Sequence, residues 1–126
     1  MRLVLKNAKK YNEETLSNIY IEDGKFANEF AEDTADRVID LKGATVTPGL
    51  IDMHCHLREP GGEYKETIKT GTASAAKGGY TSICCMPNTN PVADNAAVIS
   101  GIMKKAEEAG NCRVYPIGAA TKNIEG

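Results

Sequence analysis

The sequence has 126 residues, 41% of them hydrophobic and 25% charged, with a formal net charge of -2. Charges of both signs are dispersed along it, which describes an ordinary globular protein and argues against a nucleic-acid or membrane partner. The apolar stretch Leu3-Val4-Leu5 gives way at once to Lys6, Asn7, Lys9 and Lys10, too short a run for a signal peptide or a membrane span, so a cytoplasmic location is expected.

Residues 1–47 read as short antiparallel strands over 2–7, 17–22, 25–30 and 37–41. Asp23-Gly24 between apolar runs is a hairpin signal, and Glu32-Asp33-Thr34 and Lys42-Gly43 supply further turns. This part is expected to be a small β layer, the segment of a β-sandwich.

After Pro48-Gly49 the pattern changes to apolar strands alternating with helices, the signature of βαβ units and a parallel sheet. Residues 50–57 form the first strand. A helix follows over 67–77, favoured by Ala73, Ala75 and Ala76 and ended at the C-cap by Gly78-Gly79, and 80–86 is the second strand. Asp94 or Asn95 can cap a second helix, whose apolar positions Val98, Ile99, Ile102, Met103, Ala106 and Ala109 recur at helical spacing before Gly110 stops it. Residues 113–119 supply a third strand. A closed (β/α)₈ barrel needs eight such units and typically about 250 residues. Three strands and two helices cannot close one, and the third strand would keep an unpaired edge. Residues 48–126 are therefore expected to be the first βα units of an incomplete barrel, either a fragment or a piece finished by other chains.

Cys55, Cys84, Cys85 and Cys112 all lie in strand-like segments without a C-x-x-C pair, and they read as reduced, buried thiols. The only two histidines, His54 and His56, stand two apart near the end of the first barrel strand. On a strand they face the same way and can converge on one metal ion. An accidental pair of surface or core histidines is the alternative, but the C-terminal end of a barrel strand is where parallel α/β barrels place their active sites. Zinc normally takes three protein ligands plus water, so further ligands must come from elsewhere. Cys55 points the other way, and Asp52, deeper in the strand, is expected to support a ligand from behind or to serve the structure. Arg58 shares the histidines' parity if the strand runs straight, and its fork suits a carboxylate. In the loop Met86-Pro87-Asn88-Thr89, Asn88 can donate and accept, or simply cap its own turn. Glu59 and Glu63 would repel an anion at Gly61-Gly62, and no phosphate-binding motif is present.

The run Pro48-Gly49-Leu50-Ile51-Asp52-Met53-His54-Cys55-His56-Leu57-Arg58-Glu59-Pro60-Gly61 resembles the first barrel strand of dihydroorotases in the amidohydrolase superfamily. Gly78-Gly79-Tyr80-Thr81 through Cys84-Cys85-Met86-Pro87-Asn88-Thr89-Asn90-Pro91 resembles a second stretch of the same family. The resemblance implies a metal-dependent (β/α)₈ TIM barrel with a small composite β domain, zinc as one or two ions per complete site, and reversible ring closure of N-carbamoyl-L-aspartate to dihydroorotate. It further implies His54 and His56 as metal ligands and Arg58 and Asn88 as the residues that hold the substrate carboxylate.

Hydantoinases, dihydropyrimidinases and allantoinases share the two histidines, but Arg58 and the Asn88 loop favour a carboxylate-bearing substrate. A bridging aspartate or carboxylated lysine, two further histidines and a proton-shuttling aspartate would lie on later strands, so no general base is assigned. The chain is accordingly expected to be an inactive N-terminal portion of a small-molecule enzyme. A non-catalytic dihydroorotase-like subunit and an independent metal-binding module are the other readings, and a homo-oligomer or a pathway-enzyme partner is compatible with all three.

Overall fold

The computed structural model describes residues 1–125 and divides into two compact units, Met1–Pro48 and Gly49–Gly126. In the first unit the strands are β1 (Arg2–Lys10), β2 (Leu16–Glu22), β3 (Lys25–Phe26), β4 (Arg37–Asp40) and β5 (Thr45–Val46). The sheet order is β3-β2-β1-β4, with β5 also pairing β1. The β2–β3 hairpin turns at Asp23 and Gly24, both at positive φ (51° and 77°), as a tight two-residue turn demands.

Two expectations fail in this unit. The strands are not all antiparallel, because β4 and β5 run parallel to β1. Residues 27–36, which include a 3₁₀ turn at Glu32–Thr34, carry the chain from the β3 edge across to the far side of β1, so β4 arrives in β1's direction. The third strand also stops at Phe26, and Phe30 leaves the ladder to set its ring edge-on to Tyr20 with centroids 5.2 Å apart. Val4, Ala8 and Ile19 form the small buried centre.

The second unit runs β6 (Leu50–Cys55), α1 (Ile68–Lys77), β7 (Tyr80–Cys85), α2 (Ala96–Ala109) and β8 (Arg113–Pro116). Its strands are all parallel, in the order β6-β7-β8. Thr67 and Thr70 form a reciprocal cap at the start of α1, which ends at Gly78 with Gly79 beyond it at φ 87°. Asn95, rather than Asp94, caps α2 by accepting from the N–H groups of Ala97 and Val98, and Gly110 ends the helix at φ 62°.

The core gathers Leu57, Ile68, Ile83, Cys85, Ala93, Ile102 and Ala106. Gly49 admits no side chain, because a Cβ there would overlap Thr81. Both β6 and β8 are sheet edges, and Leu50, Ile51 and Met53 of β6 are exposed. The expectation of four buried thiols is corrected: all four cysteines are free, but only Cys85 is buried. Cys55, Cys84 and Cys112 are half-buried, and Cys55 and Cys112 pack against the core. Among the described residues no helix is long and apolar enough to cross a membrane.

Candidate metal and carboxylate site

The strand β6 carries one residue more than β7 between Asp52 and Cys55, where the pairing register shifts. At this bulge the Asp52 carboxylate accepts the His54 N–H at 2.9 Å, a local backbone role that fits the structural carboxylate expected from sequence. The ladder closes where the Met86 N–H donates to the Cys55 carbonyl at 2.9 Å. Beyond that bond the chain is free to turn.

His54 and His56 come together as their spacing requires, with ring centroids 5.4 Å apart and planes at 60°. Asn88, from the loop after β7, brings its side-chain oxygen within 2.8 Å of His56 Nδ1. This bond puts the proton on Nδ1 and leaves the Nε2 lone pair for a metal ion. Asn88 therefore does not cap its own turn; Thr89 does that, bonding the Pro87 and Pro91 carbonyls. The Asn90 N–H donates to the Pro60 carbonyl at 3.0 Å and ties this loop to the one after β6.

Arg58 is exposed, two residues beyond His56, and strand parity does not set its direction. The strand ends at Cys55, and Arg58 takes a left-handed φ of 62° inside a γ-turn closed by the Glu59 N–H on the Leu57 carbonyl at 2.7 Å. Leu57 and Glu59, on either side, are both buried. Glu59 is the residue the sequence reading missed. Its carboxylate accepts the Ile68 N–H at 2.8 Å and pairs with Lys105 of α2. Burial pushes its carboxyl up, but the Lys105 ammonium and the Ile68 N–H outweigh burial and hold it below the usual range.

The donor set fits a metal of zinc's kind, for it offers two neighbouring imidazoles, one of them with its tautomer fixed. Among the described residues no group of three or more His, Cys, Asp or Glu stands ready to hold an ion. Cys55 does not add to the two imidazoles. Its thiol donates to the Cys84 carbonyl at 3.4 Å, away from the rings, and burial, then the neighbouring Cys85 and Asp52, push it up to about 12.

A family model described as dihydro-orotase-like matches residues 43–125. The dihydroorotase of Endomicrobium trichonymphae is 49% identical over 130 residues, covering 100% of this chain and 31% of that protein. That of Ruminiclostridium cellulolyticum is 60% identical over 89 residues, 71% of this chain and 21% of the relative. The chain thus spans a third or less of the length of these relatives. Among solved structures, the L-hydantoinase (dihydropyrimidinase) from Arthrobacter aurescens matches with a TM-score of 0.74 at 27% identity, over 94% of this chain and 28% of that one. A D-hydantoinase matches with a TM-score of 0.65 at 28% identity, over 98% and 29%.

Proposed function

The chain belongs to the dihydro-orotase-like family, and on that premise we propose that it is the N-terminal portion of a cytoplasmic dihydroorotase. The complete enzyme hydrolyses the ring amide of dihydroorotate to N-carbamoyl-L-aspartate and runs the reverse closure. Residues 48–126 are the first βα units of its (β/α)₈ barrel, and residues 1–47 are a segment of its β-sandwich domain. The observation that carries this reading is the paired His54 and His56, with His56 held by Asn88, at the C-terminal end of a parallel strand inside the matched region.

His54 and His56 would hold one zinc ion of a site whose other ligands lie outside this chain. Zinc, when bound, polarises the amide carbonyl and supplies hydroxide at neutral pH. The chain's own residues bind and orient. Asn88 fixes the His56 tautomer through its oxygen, and its amide NH₂ remains a donor for the substrate carboxylate. Arg58 offers that carboxylate a bidentate partner.

The hydantoinases matched among solved structures favour a second reading, a cyclic amidase for rings without a carboxylate. Arg58 decides between them, because an exposed guanidinium at this position has no partner on such a ring. In the longer protein, Arg58→Ala should raise the KM for dihydroorotate with little change in kcat. An unchanged KM would favour the hydantoinase reading.

A further inference from the structure

Glu59 is a carboxylate only 9% exposed, and nothing in the reaction outlined above uses it. A buried charge is retained only when it is paired and hydrogen-bonded. Here one oxygen accepts the N–H of Ile68, the first residue of α1, at 2.8 Å, and the other meets the ammonium of Lys105 on α2. The same residue's backbone N–H closes the γ-turn around Arg58.

On the other side of Arg58, Leu57 is 4% exposed and packed so closely on α1 that a Cβ at Gly71 would lie 2.6 Å from Leu57 Cδ2. Arg58 is thus a single exposed residue between two fixed ones, in a left-handed conformation that residues with a Cβ disfavour. Such a conformation persists only where its surroundings impose it, and Leu57 and Glu59 are the two flanking restraints.

We propose that Glu59 and Lys105 are positioning residues for Arg58: their ion pair pins the turn that aims the Arg58 guanidinium at the substrate carboxylate. The inference rests on the reading of Arg58 as the carboxylate's partner. It assigns Glu59 a part in substrate selection. Neither Glu59 nor Lys105 touches substrate. Both act through the backbone at Arg58.

The test is a double-mutant cycle in the longer protein, with KM and kcat for dihydroorotate measured for Arg58→Ala, Glu59→Gln and the two together. Glu59→Gln keeps the shape and can still accept from Ile68. It is expected to raise KM about tenfold, as for the loss of one charge-assisted contact, with kcat nearly unchanged, and to add nothing in the Arg58→Ala background. Lys105→Met should reproduce the effect and Lys105→Arg should largely restore it, which keeps the test decisive if Glu59→Gln folds poorly. Additive effects on KM, or equal losses in kcat and KM that follow melting temperature, would reduce the pair to a structural role and overturn the inference. If Arg58→Ala alone leaves KM untouched, the carboxylate reading fails first and this proposal with it.

Discussion

Leu57 and Arg58 are adjacent yet should respond to truncation in opposite ways. Leu57 is 4% exposed and sits in the core cluster with Ile68 and Ile83, whereas Arg58 is exposed. Leu57→Ala removes three buried carbons, worth about 0.8 kcal/mol each in transfer, and the cavity left beside Gly71 adds to that, for a total of about 3 kcal/mol. For a unit of this size each kcal/mol corresponds to about 4–8 °C in melting temperature, so a fall of at least about 12 °C is expected. Arg58→Ala removes no buried contact and should stay within about 0.5 kcal/mol of the parent. Thermal melts by circular dichroism, paired with substrate KM in the longer protein, separate the two. A Leu57→Ala protein that melts within about 3 °C of the parent would show that this loop is not anchored in the core, and the account of how Arg58 is held would fall.

Three further outcomes follow from individual contacts. Asn95→Ala leaves the N–H groups of Ala97 and Val98 without their cap and should destabilise by about 1 kcal/mol, seen as a lower urea midpoint with an unchanged m-value. Asn88→Ala frees the His56 ring and should weaken zinc binding by about 10–100-fold in a chelator competition on the longer protein; unaltered affinity would remove Asn88 from the metal site. Burial pushes the Cys85 thiol up to about 11 from an ordinary 9.0. Folding therefore favours the protonated thiol, so this contribution to stability is complete below pH 9 and is lost as pH rises from 9 through 11. Iodoacetamide at pH 9 should spare native Cys85 and label it after denaturation, and rapid native labelling would contradict the burial argument.

What was legible in the sequence is what short-range chemistry decides. The Asp23-Gly24 hairpin, the Asn95 cap and the Gly110 stop each depend on a few neighbouring residues, and each stands where the residue types require it. The nearness of the two histidine rings was legible from their i, i+2 spacing, although His56 stands one residue past the end of β6.

The failures lie where distant segments decide. β4 is parallel to β1 because of the path taken by residues 27–36, which carry no periodicity. Phe30 leaves its strand for a ring contact with Tyr20 that no local pattern announces. The contact between His56 and Asn88 spans 32 positions, and that between Glu59 and Lys105 spans 46. A glutamate in a Gly-Pro loop reads as solvated until the helix start and the lysine that bury it are in place. Strand parity does not set the direction of Arg58, because the strand ends at Cys55 and Arg58 stands in a left-handed turn beyond it.

The central claim is tested most directly by assaying the conversion of dihydroorotate to N-carbamoyl-L-aspartate in a protein extended past residue 126, stripped of metal and reloaded with zinc. Turnover should be restored by zinc, abolished by His56→Ala, and absent from the 126-residue chain alone. Turnover by the short chain, or full activity of the extended protein without His56, would contradict the claim.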